Sequence, residues 1–138
     1  MKYTLILTAV GSLGAGLAGW FGGWDAGFSC LLAAMCADYC CGMIVAGVFH
    51  KSPNSAGGGL ESRAGWQGLC RKVGTLLMVL LAVRVDAILG SQMLRDAVVI
   101  AYCVNELLSI VENLGLMGVP IPAVFRKAID ILKEEEHE

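Results

Sequence analysis

Charge is scarce in this sequence. Only 16% of its 138 residues are Asp, Glu, Lys or Arg, against 57% hydrophobic, where an ordinary soluble domain has about 25% and roughly 45–50%. A mean hydropathy of +0.69 leaves too little polar surface to cover a water-facing globule. Clustered Lys and Arg are also missing, and the net charge is −2, which argues against nucleic acid as a partner, since phosphate binding needs concentrated positive charge. Proline occurs only three times, excluding a Pro-rich disordered chain, and the glycines follow no Gly-X-Y period. Both histidines, His50 and His137, lie outside the apolar runs, and the six cysteines form no C-x-x-C pair. Cys36, Cys40 and Cys41 cluster in one apolar run while Cys30, Cys70 and Cys103 are scattered; they read as small apolar packing residues. No metal site, cofactor or activated nucleophile is expected, and an enzyme is not.

What the sequence does have is long apolar runs. A bilayer core of roughly 30 Å needs about 20 helical residues. Residues 3–24 carry no charge at all, and 26–49 carry only Asp38; 73–90 carry Arg84 and Asp86, and 97–117 carry Glu106 and Glu112. These four segments predict an all-α integral membrane protein of helical hairpins, one domain over 1–138. Gly22-Gly23-Trp24-Asp25 makes the first reversal tight, because glycine permits the turn and tryptophan favours the headgroup level. The first run continues too far for a cleaved secretory signal and is expected to stay as a span. Residues 50–72, polar and rich in Gly and Ser, read as a loop ending in the basic, Trp66-containing stretch before Val73. Pro120 and Pro122 stop the fourth segment, and 123–138 reads as an amphipathic tail outside the bilayer, closing in the acidic run to Glu138.

With four spans, Lys2, Lys51, Arg63, Arg71, Lys72, Arg126, Lys127 and Lys133 share one side and only Arg95 lies on the other. The positive-inside rule then places both termini and the central loop in the cytoplasm, on a multi-pass protein of the bacterial inner membrane. The fourth segment is the marginal one. Its two carboxylates cost roughly 5–7 kcal/mol, while its Leu, Ile and Val residues contribute about −3 to −6. A three-span arrangement therefore stays open.

On a wheel of about 100° per residue, Tyr102, Asn105, Glu106, Ser109, Glu112 and Asn113 fall within an arc of about 120°. Such a stripe can line an aqueous opening between copies, hold a bundle together as an interior network, or mark a helix resting at the interface. Asp38, Arg84 and Asp86 are the other intramembrane charges. Arg84 and Asp86 point apart on one helix, so Arg84 is expected to meet a carboxylate from another. On this count the membrane interior holds an excess of acids. Gly11, Ala15, Gly19 and Gly23 recur every fourth residue, a spacing that lets membrane helices approach closely. The contact lies within one chain or between copies of it.

In order along the chain stand Gly22-Gly23-Trp24-Asp25, Asp38-Tyr39 with Gly42, Gly68-Leu69 with Arg71-Lys72, Asp86, and Arg95-Asp96-Ala97-Val98. The run from Asn105-Glu106-Leu107-Leu108-Ser109 through Glu112-Asn113-Leu114-Gly115 and then Gly118-Val119-Pro120-Ile121-Pro122 completes the set. In these motifs, their order and spacing, the sequence resembles the phage-lysis and toxin-secretion holins. The cysteine-rich second segment and the acidic tail depart from that pattern. The resemblance implies a homo-oligomer in contact with membrane lipids, whose lesions release an endolysin, or a toxin lacking its own signal. A small regulated ion channel or transporter using the buried carboxylates is the alternative.

Overall fold

A computed structural model describes residues 1–136 and contains five helices among them: α1 (Lys2–Trp20), α2 (Ala26–Gly47), α3 (Ser62–Leu89), α4 (Met93–Leu116) and α5 (Ala123–Glu136). The expected amphipathic tail is α5; its last two positions, His137 and Glu138, lie outside the described residues. The helices follow from long apolar runs, and the breaks follow from local chemistry. Gly22 and Gly23 adopt φ of 85° and 95°, conformations that a Cβ disfavours. Asp25 then caps α2, its side chain accepting from the Phe28 N–H at 2.8 Å, which satisfies one of the free donors of the first turn. α3 ends on Gly90 in the left-handed region, at φ 67°, the usual glycine stop.

Three helices, α1, α2 and α4, are long and apolar enough to cross a membrane. The marginal helix is therefore α3 rather than the expected fourth segment. α3 also differs in extent. It begins at Ser62 and takes in the stretch to Lys72 that the sequence assigns to a loop. Gly65 and Gly68 weaken a helix by about 1 kcal/mol each relative to Ala. Both face Tyr39 of α2: a Cβ would stand in ordinary van der Waals contact, 3.5 Å from the Tyr39 hydroxyl at Gly65 and 3.7 Å from its ring at Gly68. The Tyr39 hydroxyl also donates to the Gly65 carbonyl at 3.3 Å. Tertiary contact thus favours the helix there over local propensity.

α4 is the hub, packed most extensively on α2, then on α3 and α5, while α3 touches α2 sparingly. The apolar core is Phe28, Leu31 and Met35 of α2, Val79 of α3, and Val99 and Cys103 of α4, each at most 5% exposed. α1 stands apart. Ala18 is its one buried residue, and Leu5, Leu7, Leu13 and Leu17 are all well exposed. A Cβ at Gly11, Gly14, Gly16 or Gly19 would meet nothing within 4 Å.

Candidate functional site

A largely buried ionic cluster joins three helices. The Lys72 ammonium of α3 donates to Asp38 Oδ2 of α2 at 2.8 Å and to Glu106 Oε2 of α4 at 2.6 Å. Asn113, two turns beyond Glu106, donates from Nδ2 to the other Asp38 oxygen at 3.2 Å. The side chains of Lys72, Asp38 and Glu106 are only 13%, 16% and 8% exposed. One cation thus compensates two carboxylates, leaving one net negative charge. A pair of this kind adds little net stability, but removing one partner is costly because the other is left buried and uncompensated.

Above the cluster lies a cavity of about 690 Å³, with Asn105, Ser109, Glu112 and Asn113 on the α4 wall, Asp38, Tyr39 and Gly42 on α2, and Arg71, Lys72 and Thr75 on α3. Residues of the 48–61 connection, Ser52, Pro53, Asn54, Gly59, Leu60 and Glu61, roof it. The apolar core occupies the other half of the α2–α4 interface and contributes no lining residue. Within one chain the cavity thus stops short of the apolar core.

Five members of the polar stripe, Asn105, Glu106, Ser109, Glu112 and Asn113, line this cavity together; Tyr102 packs instead against the apolar core. Asp38 joins the cluster. Arg84 is exposed and makes no ion pair among the described residues, so the expected cation for a buried carboxylate is Lys72 in its place. Asp86 serves the next helix: one oxygen accepts from the Arg95 N–H at 2.7 Å, the other from Leu94 N–H at 3.2 Å and the Ser91 hydroxyl at 2.6 Å. It supplies from α3 the acceptors that the α4 N-terminus lacks. In the small-residue stripe, Gly11, Ala15 and Gly19 are exposed, a Cβ at Gly11 or Gly19 would meet nothing within 4 Å, and Gly23 sits in the turn.

Arg95 is the second functional position that sequence reading missed as anything but a stray charge. Its Nε donates to the Phe21 carbonyl at 3.0 Å and an η nitrogen to the Gly23 carbonyl at 3.3 Å. Both η nitrogens engage the Asp25 carboxylate. The guanidinium lies 6.0 Å from the centre of the Phe28 ring. A Cβ on Gly22 would come within 2.8 Å of Arg95 Nε. The hydrogen bond from Arg95 holds the Asp25 carboxyl below the ordinary carboxylate range, against a smaller opposing effect of burial. This clamp fastens the α1–α2 turn to the start of α4. A sequence signal for Lys72 existed: Lys72, Thr75, Val79, Ala82 and Asp86 follow a three–four spacing, and the last four are the buried residues of α3.

Among the described residues no group of three or more His, Cys, Asp or Glu could hold a metal ion. Residues 15–134 match the model of the bacteriophage holin family. The chain is 38% identical to an uncharacterized protein of Halalkalibacterium halodurans, with 84% of each chain covered, and 34% identical to one of Listeria innocua, with 96% of each covered. A probable holin of Bacillus phage phi105 is 39% identical over 55% of this chain and 57% of its own length. No solved structure matches the chain. A family match running from the middle of α1 to the end of α5, across every helix that builds the cavity, places the chain in the bacteriophage holin family, membrane proteins that are not enzymes.

Proposed function

We propose that the protein is a holin in the strict sense: it accumulates in the bacterial cytoplasmic membrane, self-associates, and opens lesions that release an endolysin, or a toxin without its own signal. The observation that carries this reading is the polar wall of α4. Asn105, Glu106, Ser109, Glu112 and Asn113 are gathered on one face of a helix that is otherwise apolar enough to span, and they line a cavity that stops short of the apolar core. A polar wall at that depth is expensive against lipid. Water provides a favourable alternative surrounding, and no continuous water path runs through a single chain. Convergence of several copies supplies one.

Two further features support the reading. The outward face of α3 is apolar over Val73, Leu77, Met78, Leu81, Val85, Ile88 and Leu89, which suits a fourth span with Arg84 reaching the nearby helix end. Four spans put both termini and the 48–61 connection in the cytoplasm. α1 presents its small-residue stripe to nothing within the chain, and a second copy is the partner we assign to it.

The deciding experiment is induced expression in bacteria beside a folded cytoplasmic reporter enzyme. The holin reading expects the membrane potential to collapse and the reporter to leave the cytoplasm. Loss of potential with the reporter retained would favour a small ion channel, and no loss at any dose would leave a scaffold.

A further inference from the structure

The three helices around the ionic cluster are not held equally. α2 and α4 pack extensively on each other and supply most of the apolar core, to which α3 adds Val79, whereas α3 meets α2 along a narrow seam. That seam consists of the Lys72–Asp38 ion pair at 2.8 Å, the Tyr39 hydroxyl on the Gly65 carbonyl at 3.3 Å, and the bare backbone at Gly65 and Gly68 facing Tyr39. Lys72 also reaches across to Glu106 at 2.6 Å. Among the described residues it is thus the one side chain of α3 paired by charge to both neighbours, standing between the half-buried Asp38 and the buried Glu106.

We infer that Lys72 is the positioning residue that keeps the polar wall of α4 closed, and that opening begins when α3 leaves α2 at this seam while α2 and α4 stay together. With Lys72 in place, Asp38 and Glu106 are drawn toward one ammonium and the wall faces inward. Without it, two carboxylates stand close together in a medium where their repulsion is weakly screened. Water entry relieves that repulsion, and separation of α3 admits water. The same separation exposes the buried Glu106 and the half-buried Asn113, the covered part of the wall that the hole-forming reading requires.

The test uses the full chain with Lys72→Met, Lys72→Arg and the double variant Asp38→Asn/Lys72→Met. The first measurement is hydrogen exchange of purified protein in lipid nanodiscs. Lys72→Met is expected to raise exchange roughly tenfold over 65–75 while residues 28–35 of α2 keep their protection, as local rather than global opening requires. Lys72→Arg, which retains the charge, is expected to behave like the wild type. Equal loss of protection in both regions, or none, overturns the inference, as does Lys72→Arg behaving like Lys72→Met. If Lys72→Met does not accumulate, the double variant decides: it removes the ion pair that ties α3 to α2 without leaving two carboxylates to repel each other, and loss of the tie alone should still raise exchange selectively over 65–75.

The second measurement is the time from induction to collapse of the membrane potential at matched membrane amounts, which rests on the holin reading. Lys72→Met should collapse it at least about twofold sooner than wild type, given the cost of an uncompensated buried charge. An unchanged schedule overturns the role of Lys72 in opening. A wild type that never collapses the potential overturns the holin reading instead, and leaves the exchange measurement to decide the role of Lys72.

Discussion

At the scale of single residues, two cations organise this protein, and they do different work. Lys72 compensates carboxylates between helices, whereas Arg95 fastens backbone carbonyls of a glycine turn and borrows Asp25 as its counter-ion. The Asp25 carboxyl is half exposed, so solvent screening keeps the worth of this ion pair modest. Its direction with pH is nevertheless fixed. Because the folded pKa is depressed, the stabilisation is complete above the unfolded value of about 3.9. It is lost as pH falls through that value toward the folded one. Thermal unfolding in detergent micelles should therefore move to lower temperature between about pH 5 and about pH 3, and Asp25→Asn should flatten that dependence while lowering stability near neutrality. An identical pH slope in the two proteins would remove Asp25 from the account.

At the scale of elements, α1 and α3 pose opposite problems. α3 has charged residues that ought to keep it from lipid, yet it buries Asp86 as a cap for α4 and places Lys72 against two carboxylates. α1 carries only Lys2, at its first position, and has almost no contact with the rest of the chain. In lipid an apolar helix gains nothing by simple hydrophobic contact with another, and association instead depends on close backbone approach and packing. Gly11, Ala15 and Gly19 offer that approach. Since one member of the stripe is already alanine, Gly19→Ala should leave crosslinked oligomers in membranes unchanged, while Gly19→Leu should reduce them. The same crosslinking ladder for Gly19→Leu and wild type would show that α1 associates by another face, or not at all.

At the scale of the whole molecule, the number of spans fixes the side on which the C-terminus lies. If α3 crosses, Lys2 and α5 share the cytoplasmic side with the 48–61 connection. If α1, α2 and α4 alone cross, α5 emerges on the far side. Reporters active on only one side of the membrane, fused at residue 56 and after the C-terminus, should both report the cytoplasm. A C-terminal fusion active only outside would establish three spans and turn the Lys and Arg of α5 into an exception to the positive-inside rule. The apolar core adds a constraint at this scale. A folded enzyme cannot pass through a chain whose α2–α4 interface is closed by Leu31 and Val99, at 0% and 2% exposed. Passage of a protein requires an assembly, a rearrangement, or both.

Hydropathy and residue period are local properties, so the sequence by itself determined the apolar segments, the glycine turn at Gly22-Gly23, the stop at Pro120 and Pro122, and the polar arc from Asn105 to Asn113. None of these depends on which helix lies beside which. The cation for Asp38 and Glu106, by contrast, depends on the relative height and rotation of α2, α3 and α4. From sequence alone Arg84 and Lys72 are both within reach of some carboxylate, and the choice of Arg84 rested on assigning Lys72 to a loop. That assignment failed because Gly65 and Gly68 read locally as helix breakers, while the Tyr39 side chain that packs on them and donates to the Gly65 carbonyl stands 26 residues before Gly65 in the chain. The tertiary structure likewise decided that the polar arc closes on a cavity within the chain and that Tyr102 belongs to the core. Both outcomes are set by packing across helices, where a rotation of a few tens of degrees exchanges a cavity wall for a lipid-facing surface.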